Sequence, residues 1–217
     1  MKNNVSFDII SEGVNKRPIC GAFGFSTSIL LHDGDKHILF DTGSYGIRNK
    51  IKELIENNAI SCLVLSHLHF DHCANIDLFK NIPIYVSKRE LESLNEDKDI
   101  NTYKALGFFI NMFDLQFLSD SMQISPNVKA FYTPGHTAGH FSLGFECEGK
   151  KIIAAGDAVK SAMEYTSGEL VTKPFDMISL KKTIDLIKNN FDVIIPGHQS
   201  PFSISNPIDK DVILTSF

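Results

Sequence analysis

The stretch Ser66-His67-Leu68-His69-Phe70-Asp71-His72 constrains this chain more than any other. Three histidines and a carboxylate crowd together directly after the apolar run Cys62 to Leu65, which reads as a short buried strand. His67 and His69 are two residues apart, so in extended chain their side chains leave on the same side and can grip one ion together. Asp71 and His72 come after the chain turns, and can face a second ion about 3.5–4 Å from the first. A lone histidine on an apolar strand is most often simply packed. Ligand-type residues in this number and order, at a strand end, have no such plain packing explanation.

Around this stretch the first half reads as strands. Val5 to Ile10 alternates loosely. Ser26 to Leu31 and His37 to Phe40 flank Asp33-Gly34-Asp35, a turn signal between apolar runs, so a hairpin is expected. The loop from Glu12 to Phe25 carries Pro18, Gly21 and Gly24 and reads as open and irregular. Ile47, Ile51, Leu54 and Ile55 recur at helical spacing. A short helix is expected over Ala74 to Phe79, a strand over Ile84 to Val86 and a helix over Lys88 to Leu94. The second half reads as strands at Val128 to Tyr132, Phe141 to Phe145 and Ile152 to Ala155. An amphipathic helix over Ile178 to Ile187 follows, then a last strand at Val193 to Ile195, ended by Pro196-Gly197. Two strand-rich halves, each closed by a helix, imply one domain over residues 1–217, with two sheets inside and helices outside. Residues 98–120 stand apart as an apolar helical insertion. There Phe108, Phe109, Ile110, Met112 and Phe113 leave little polar face, so the segment reads as core, as a lid, or as a homodimer surface.

Composition narrows the class. The 217 residues suffice for a sizeable core, and 43% hydrophobic with 22% charged is ordinary for a globular protein. A net charge of −5 speaks against a nucleic-acid partner bound through a general basic excess. Cys20, Cys62, Cys73 and Cys147 form no CxxC pair and read as reduced thiols. The opening MKNNVSFDIIS has no apolar core of a secretory signal, and no apolar run approaches the ~20 residues of a spanning helix. The expectation is a cytoplasmic protein with no membrane partner and a small-molecule substrate.

His67-Leu68-His69-Phe70-Asp71-His72 resembles the HxHxDH motif of the metallo-β-lactamase superfamily. Phe40-Asp41-Thr42-Gly43 resembles its DTG motif, and Thr133-Pro134-Gly135-His136-Thr137 its third-histidine motif. Ala155-Gly156-Asp157 resembles its bridging-aspartate motif, and Pro196-Gly197-His198 its final-histidine motif. The motifs stand in the family's order over almost the whole chain. This resemblance implies an α/β (α+β) fold, a four-layered αββα sandwich. It implies that His67, His69 and His136 hold a first metal, that Asp71, His72 and His198 hold a second, and that Asp157 bridges them. Asp41 would stand behind the ligands and fix ring tautomers. The implied cofactors are two divalent metal ions, zinc first, with iron or manganese as alternatives. The implied activity is a metal-dependent hydrolase in which a metal-bridging hydroxide, available near neutral pH, attacks an ester, thioester or lactone. Asp71 would be the catalytic residue that holds the nucleophile's proton or passes it to the leaving group.

Three neighbours of the motifs carry two readings each or a plain one. His140 matches the family's TPGHTxGH pattern and is read either as structural or as a substrate contact. Lys160, with Tyr165 beyond it, follows Asp157; it pairs with a substrate carboxylate or phosphate, or is merely solvated. Cys73 reads as a buried thiol rather than a ligand. Within the family the chain is most similar to compact single-domain hydrolases of the glyoxalase II and lactonase-like branch. The acyl-homoserine lactonases place a tyrosine three residues after the bridging aspartate, where this chain has Lys160. Two other classes stay open, a phosphodiesterase or nuclease and a mononuclear-iron oxygenase. The complete second set, Asp71, His72 and His198, points to two metals and so to hydrolysis.

Overall fold

The computed structural model of the chain describes residues 5–14, 25–57, 59–96, 110–170 and 172–207. These build two six-stranded sheets. The first holds β1 (Ser6–Ser11), β2 (Ser28–Asp33), β3 (Lys36–Phe40), β4 (Cys62–Val64), β5 (Ile84–Val86) and β6 (Leu115–Phe117), side by side in chain order. β1 to β3 pair antiparallel, and β3 to β6 pair parallel. The second sheet holds β7 (Gln123–Ser125), β8 (Val128–Tyr132), β9 (Phe141–Cys147), β10 (Lys150–Gly156), β11 (Val193–Pro196) and β12 (Phe202–Ser203). β7 to β10 form an antiparallel meander, and β11 joins β10 in parallel.

Central strands are apolar on both faces, as strands covered from two sides must be. In β2, Ile29 and Leu31 enter one core cluster and Leu30 another. In β10, Ile152 and Ala154 face one way, Ile153 and Ala155 the other. The shared cluster gathers Phe7, Ile29, Leu31, Phe40, Val128, Leu143, Phe145, Ile152 and Val193 from both sheets, so it is the filling between them. Helices cover the outer faces. α1 (Arg48–Glu56) buries Ile51 completely in the cluster beneath the first sheet, which also takes Leu94 of α3 (Lys88–Glu96). On the other side Ala162 of α4 (Ala162–Ser167) and Ile187 of α5 (Met177–Asn190) pack onto Ile153 and Ile194. The layers run helix, sheet, sheet, helix, the sandwich that the resemblance implies. No helix among the described residues is long and apolar enough to cross a membrane.

Local signals explain most boundaries. Gly34, at φ 61, turns the β2–β3 hairpin, a backbone region open to glycine. The Asp176 carboxylate accepts from Ile178 N at 2.9 Å and caps α5, whose buried Leu180, Thr183 and Ile187 recur at helical spacing. α4 lies outside the sequence expectations, yet its signals are in the sequence. Ser161 accepts from Glu164 N in an S-x-x-E pattern, and Gly168 ends the helix at φ 71. The helix expected over Ala74 to Phe79 resolves into α2 (Phe70–Cys73), which starts inside the histidine stretch, and a 3-10 turn at Ile76–Leu78.

The apolar segment needs a correction. Its residues 98–109 lie outside the described ones, but Ile110–Met112 is a single 3-10 turn and Leu115–Phe117 is edge strand β6 rather than helix. Phe113 and Leu118 enter the cores, while Met112 and Phe117 are exposed. Parallel pairing with β5 overrides the helical pattern, because Ile84 N and Leu118 N find their acceptors there.

Opposite the end where β3 and β8 finish, one carboxylate staples the two sheets. Buried Asp33 accepts from Ser125 Oγ at 2.6 Å, from Asn127 N at 2.8 Å and from Asn127 Nδ2 at 2.7 Å. Burial pushes its carboxyl up, but these three donors outweigh it and hold the group below its ordinary value. Asp33→Ala is therefore expected to cost about 2–4 kcal/mol in denaturant unfolding. The stapling is complete above the unfolded value of about 3.9 and fades as pH falls through the lower folded value, so the gap between wild type and variant narrows in acid. A gap that stays constant down to about pH 3 would contradict this assignment.

Candidate metal centre

Strand direction gathers the site. β8 runs antiparallel to β9, β9 antiparallel to β10, and β10 parallel to β11, so β8, β10 and β11 all end at one edge. β3 and β4 run parallel and end together in the other sheet. Asp41 follows β3, His67 and His69 follow β4, His136 follows β8, Asp157 follows β10 and His198 follows β11. Asp71 and His72 ride on α2. Backbone bonds close the seam between the sheets here: Phe141 N donates to Ser66 O at 2.9 Å, and Thr27 N to Gly197 O at 2.7 Å.

Two groups of side chains converge at this edge. His67, His69, His136 and Asp157 form one, and Asp71, His72 and His198 the other, each with its potential ligand atoms within 4.8 Å of one another. Asp157 stands between them. Its Oδ2 lies 3.2 Å from His136 Nε2, and its Oδ1 lies 3.1 Å from both His72 Nε2 and His198 Nε2. Asp71 Oδ2 is 3.7 Å from His198 Nε2. Two glycines make room. A Cβ on Gly197 would overlap Asp157 Oδ1, and Gly156, at φ 52, keeps a Cβ out of the space between His140 and Ser66.

The network behind the rings sets their tautomers. Buried Asp41 accepts from Ser66 N at 2.7 Å, from Ser66 Oγ at 2.7 Å and from His72 Nδ1 at 2.7 Å. With its hydroxyl proton spent on Asp41, Ser66 Oγ accepts from His67 Nδ1 at 2.9 Å. His198 Nδ1 donates to Phe25 O at 3.0 Å. His67, His72 and His198 are thus each anchored through Nδ1 and present Nε2 to the cluster. Asp41 is itself at φ 59, a left-handed conformation that aspartate tolerates at a cost.

The charges are unbalanced in an informative way. Burial drives His67 and His136 well below the ordinary imidazole value, so both rings are neutral lone-pair donors. Burial also opposes charge on His72 and His198, but Asp157 and the other carboxylates outweigh it and raise both. Asp157 is pushed up by burial and pulled down further by His198, Lys160, His72 and His136, ending well below its usual range. Meanwhile His67 Nε2, His72 Nε2 and Asp157 Oδ1 are buried without a hydrogen-bond partner. His72 Nε2 thus lies 3.1 Å from Asp157 Oδ1 without the alignment of a hydrogen bond, and neither atom satisfies the other. Each such orphan costs about 1–3 kcal/mol unless something satisfies it. Imidazole nitrogens and carboxylate oxygens around shared space fit divalent zinc, iron or manganese.

The remaining expected residues fall into place differently. Lys160 points into the site: Nζ is 3.3 Å from Asp157 Oδ2 and donates to Thr172 Oγ1 at 2.8 Å. His140 is fully buried, with burial pushing it down to about 3. Ser142 Oγ donates to Ala155 O, so Thr133 Oγ1 donates to Ser142 and accepts from His140 Nδ1. That network ties β9 to β10 and leaves His140 a wall of the site. Cys73 is buried, donates to His69 O, and has its thiol pushed far up by burial. Tyr165 packs against Phe202, the rings tilted by 52° with centroids 5.6 Å apart, instead of approaching the cluster.

Sequence reasoning missed Glu90. This buried residue of α3 accepts from Leu68 N at 3.1 Å, from Thr137 Oγ1 at 2.6 Å and from Gly139 N at 2.8 Å. It clamps the loop of His67 and His69 to the loop of His136. Nothing local marks it, because Lys88-Arg89-Glu90-Leu91-Glu92 reads as an ordinary charged helix start.

A four-layer sandwich with a histidine and aspartate cluster of dinuclear type at one edge defines a class of metal-dependent proteins. The chain belongs to the metallo-beta-lactamase superfamily, whose family model matches residues 21–198. A Methanocaldococcus jannaschii protein named a probable metallo-hydrolase is 27% identical over 191 residues, covering 81% of this chain and 89% of its own. An N-acyl homoserine lactonase of Bacillus thuringiensis is 27% identical over 140 residues, 63% of this chain and 54% of its own. A beta-lactamase-like protein 2 homolog of Caenorhabditis elegans is 30% identical over 190 residues, 80% of this chain and 55% of its own. The chain thus spans about half the length of the last two. Among solved structures, an N-acyl homoserine lactone hydrolase with N-hexanoyl-L-homoserine at its catalytic metal centre superposes with a TM-score of 0.70 at 21% identity. That match covers 92% of this chain and 94% of the other, and it shows the shared fold. Family and relatives together mark this chain as a metal-dependent hydrolase.

Glu90→Ala strands three donors and is expected to cost roughly 3 kcal/mol or more in unfolding experiments. Glu90→Gln should lose less, because its remaining carbonyl oxygen still accepts from Thr137 and Gly139. Equal, negligible losses in both variants would mean that the clamp does not hold the loops.

Proposed function

We propose that this chain hydrolyses a small ester, thioester or lactone at two divalent metal ions, zinc first. His67, His69 and His136 would hold one ion, Asp71, His72 and His198 the other, with Asp157 between them. The observation that carries the reading is the pair of ligand groups meeting at Asp157, with unsatisfied Nε2 and Oδ1 atoms turned toward shared space. The named lactonase relatives support an ester-type substrate. The full second group, Asp71, His72 and His198, supports two ions over one.

Bound ions of this kind supply a hydroxide nucleophile near neutral pH and polarise the scissile carbonyl. Everything else falls to the chain. Asp41 holds the proton on His72 Nδ1 and, through Ser66, the proton on His67 Nδ1, so both rings keep Nε2 free for ligation. Asp71, beside His198 at the edge of the cluster, takes the proton released at the attacking oxygen and returns it to the leaving oxygen or sulfur. Lys160 holds a fixed positive charge beside Asp157 and favours an electron-rich substrate group there. The unpaired thiols of Cys62, Cys73 and Cys147 support a reducing, cytoplasmic setting.

Elemental analysis of protein purified with excess zinc is expected to give two ions per chain, and Asp157→Ala to weaken both. A saturated protein holding one ion on His67, His69 and His136 would end the dinuclear reading. Asp71→Asn is expected to keep the fold while lowering kcat on the best ester, thioester or lactone by about 100-fold or more. Unchanged turnover would remove Asp71 from the proton path.

A further inference from the structure

Of the chain's eight histidines, His67, His69, His72, His136 and His198 line the metal cluster and His140 walls it. The two left over, His32 and His37, meet each other at the opposite end of the first sheet. They stand directly across from one another in the register of β2 and β3. Their Nδ1 atoms lie 2.7 Å apart, with ring centroids 4.9 Å apart and planes at 74°. Along β3, His37 stands four residues before Asp41, roughly 13 Å at about 3.3 Å per residue, so the pair is separate from the cluster.

Asp8 of β1 orients one of the rings. His32 Nε2 donates to Asp8 Oδ2 at 2.9 Å. A neutral imidazole carries one proton, so His32 turns a lone pair from Nδ1 toward His37. A carboxylate that accepts from the nitrogen opposite the lone pair is the usual support of a metal-binding histidine. Solvent reaches the group, since the side chains of His32 and Asp8 keep 28% and 41% of their accessible surface. Nearby ammonium groups are engaged elsewhere. Lys36 leaves β3 on the opposite face, where it acts on Cys62, and Lys50 Nζ donates to Ile10 O at 3.0 Å.

We infer that His32 and His37 bind a divalent cation of the nickel, copper and zinc class, with Asp8 as the supporting carboxylate. Neutral imidazoles select these ions over magnesium and calcium, which require oxygen ligands. His32 offers the Nδ1 lone pair it already presents. His37 offers its own Nδ1 once its proton moves to Nε2. Two nitrogens bound at ~2.0–2.1 Å to one ion stand about 3–3.4 Å apart, so each ring shifts by only a few tenths of an ångström. Both ligands rise from hydrogen-bonded strands, so the pair is held close to a binding geometry before any ion arrives. What the ion displaces is a single, partly exposed hydrogen bond between the rings. This assignment does not depend on the hydrolase reading.

Equilibrium dialysis of the zinc-loaded full chain against nickel, with both metals counted, tests this directly. Wild type is expected to take up about one more nickel per chain than His37→Gln, at unchanged zinc content. His32→Gln removes the other ligand and should give the same difference, should the first variant fail to fold. Asp8→Ala keeps both ligands and is expected to raise the nickel Kd by about 10–100-fold. Equal nickel uptake by wild type and the histidine variants overturns the proposal. So does nickel that enters only as zinc leaves, since it would then sit at the cluster. An unchanged Kd in Asp8→Ala marks unsupported surface imidazoles and overturns it as well. If the chain takes up no zinc, the metal reading of the cluster fails, while a one-ion difference in nickel between wild type and His37→Gln still assigns this pair.

Discussion

Asp41 is buried without solvent and receives three hydrogen bonds, and the geometry of the cluster follows from that arrangement. A carboxylate in this position is tolerable only while its donors stay in place. The donors are the backbone and hydroxyl of Ser66 and the ring of His72, so the end of β3 is locked to the end of β4 and to α2. The strained φ of 59 at Asp41 is held by bonds on both sides, from Asp41 N to Val64 O and from Ser28 Oγ to Asp41 O. Fixing one acid fixes the tautomers of two rings of the cluster, His67 and His72.

Glu90 does for the loops what Asp41 does for the rings. Its three donors come from the loop after β4 and the loop after β8, which belong to different sheets. Together the two acids make the edge of the sandwich rigid where five strands stop. Asp33 closes the opposite end of the same seam. The sheets are thus held at both ends by buried carboxylates and in the middle by apolar filling.

Such an edge is electrostatically incomplete on its own. Asp157 draws His72, His136, His198 and Lys160 around it, yet His67 Nε2, His72 Nε2 and Asp157 Oδ1 stay buried without a hydrogen-bond partner. Protein stability and ligand binding are linked in such sites, because cations that satisfy these atoms favour the folded chain.

Much of this was legible in the chain. The run His67 to His72 announced a metal cluster, because ligand-type residues at a strand end stand out against an apolar strand, while His136, Asp157 and His198 were marked by the resemblance of their motifs to the family's. The hairpin at Gly34 and the stripe of α5 followed from turn chemistry and helical spacing. α4 was legible too, in Ser161, Glu164 and Gly168, although its shortness hid it. Other features had no local signature. Glu90 sits in an ordinary charged helix, and its partners are distant in sequence. Leu115 to Phe117 carries no strand alternation, and becomes a strand only because β5 offers it backbone partners. Lys160 reads first as a solvated lysine, and only the tertiary structure brings Thr172 and Asp157 against it. Sequence alone determined the residue types and their periodicity, since those are fixed by covalent order and short-range backbone geometry. Tertiary structure decided which buried acid meets which donor, since a hydrogen bond depends on atoms within about 3 Å of each other, a distance that folding sets independently of position along the chain.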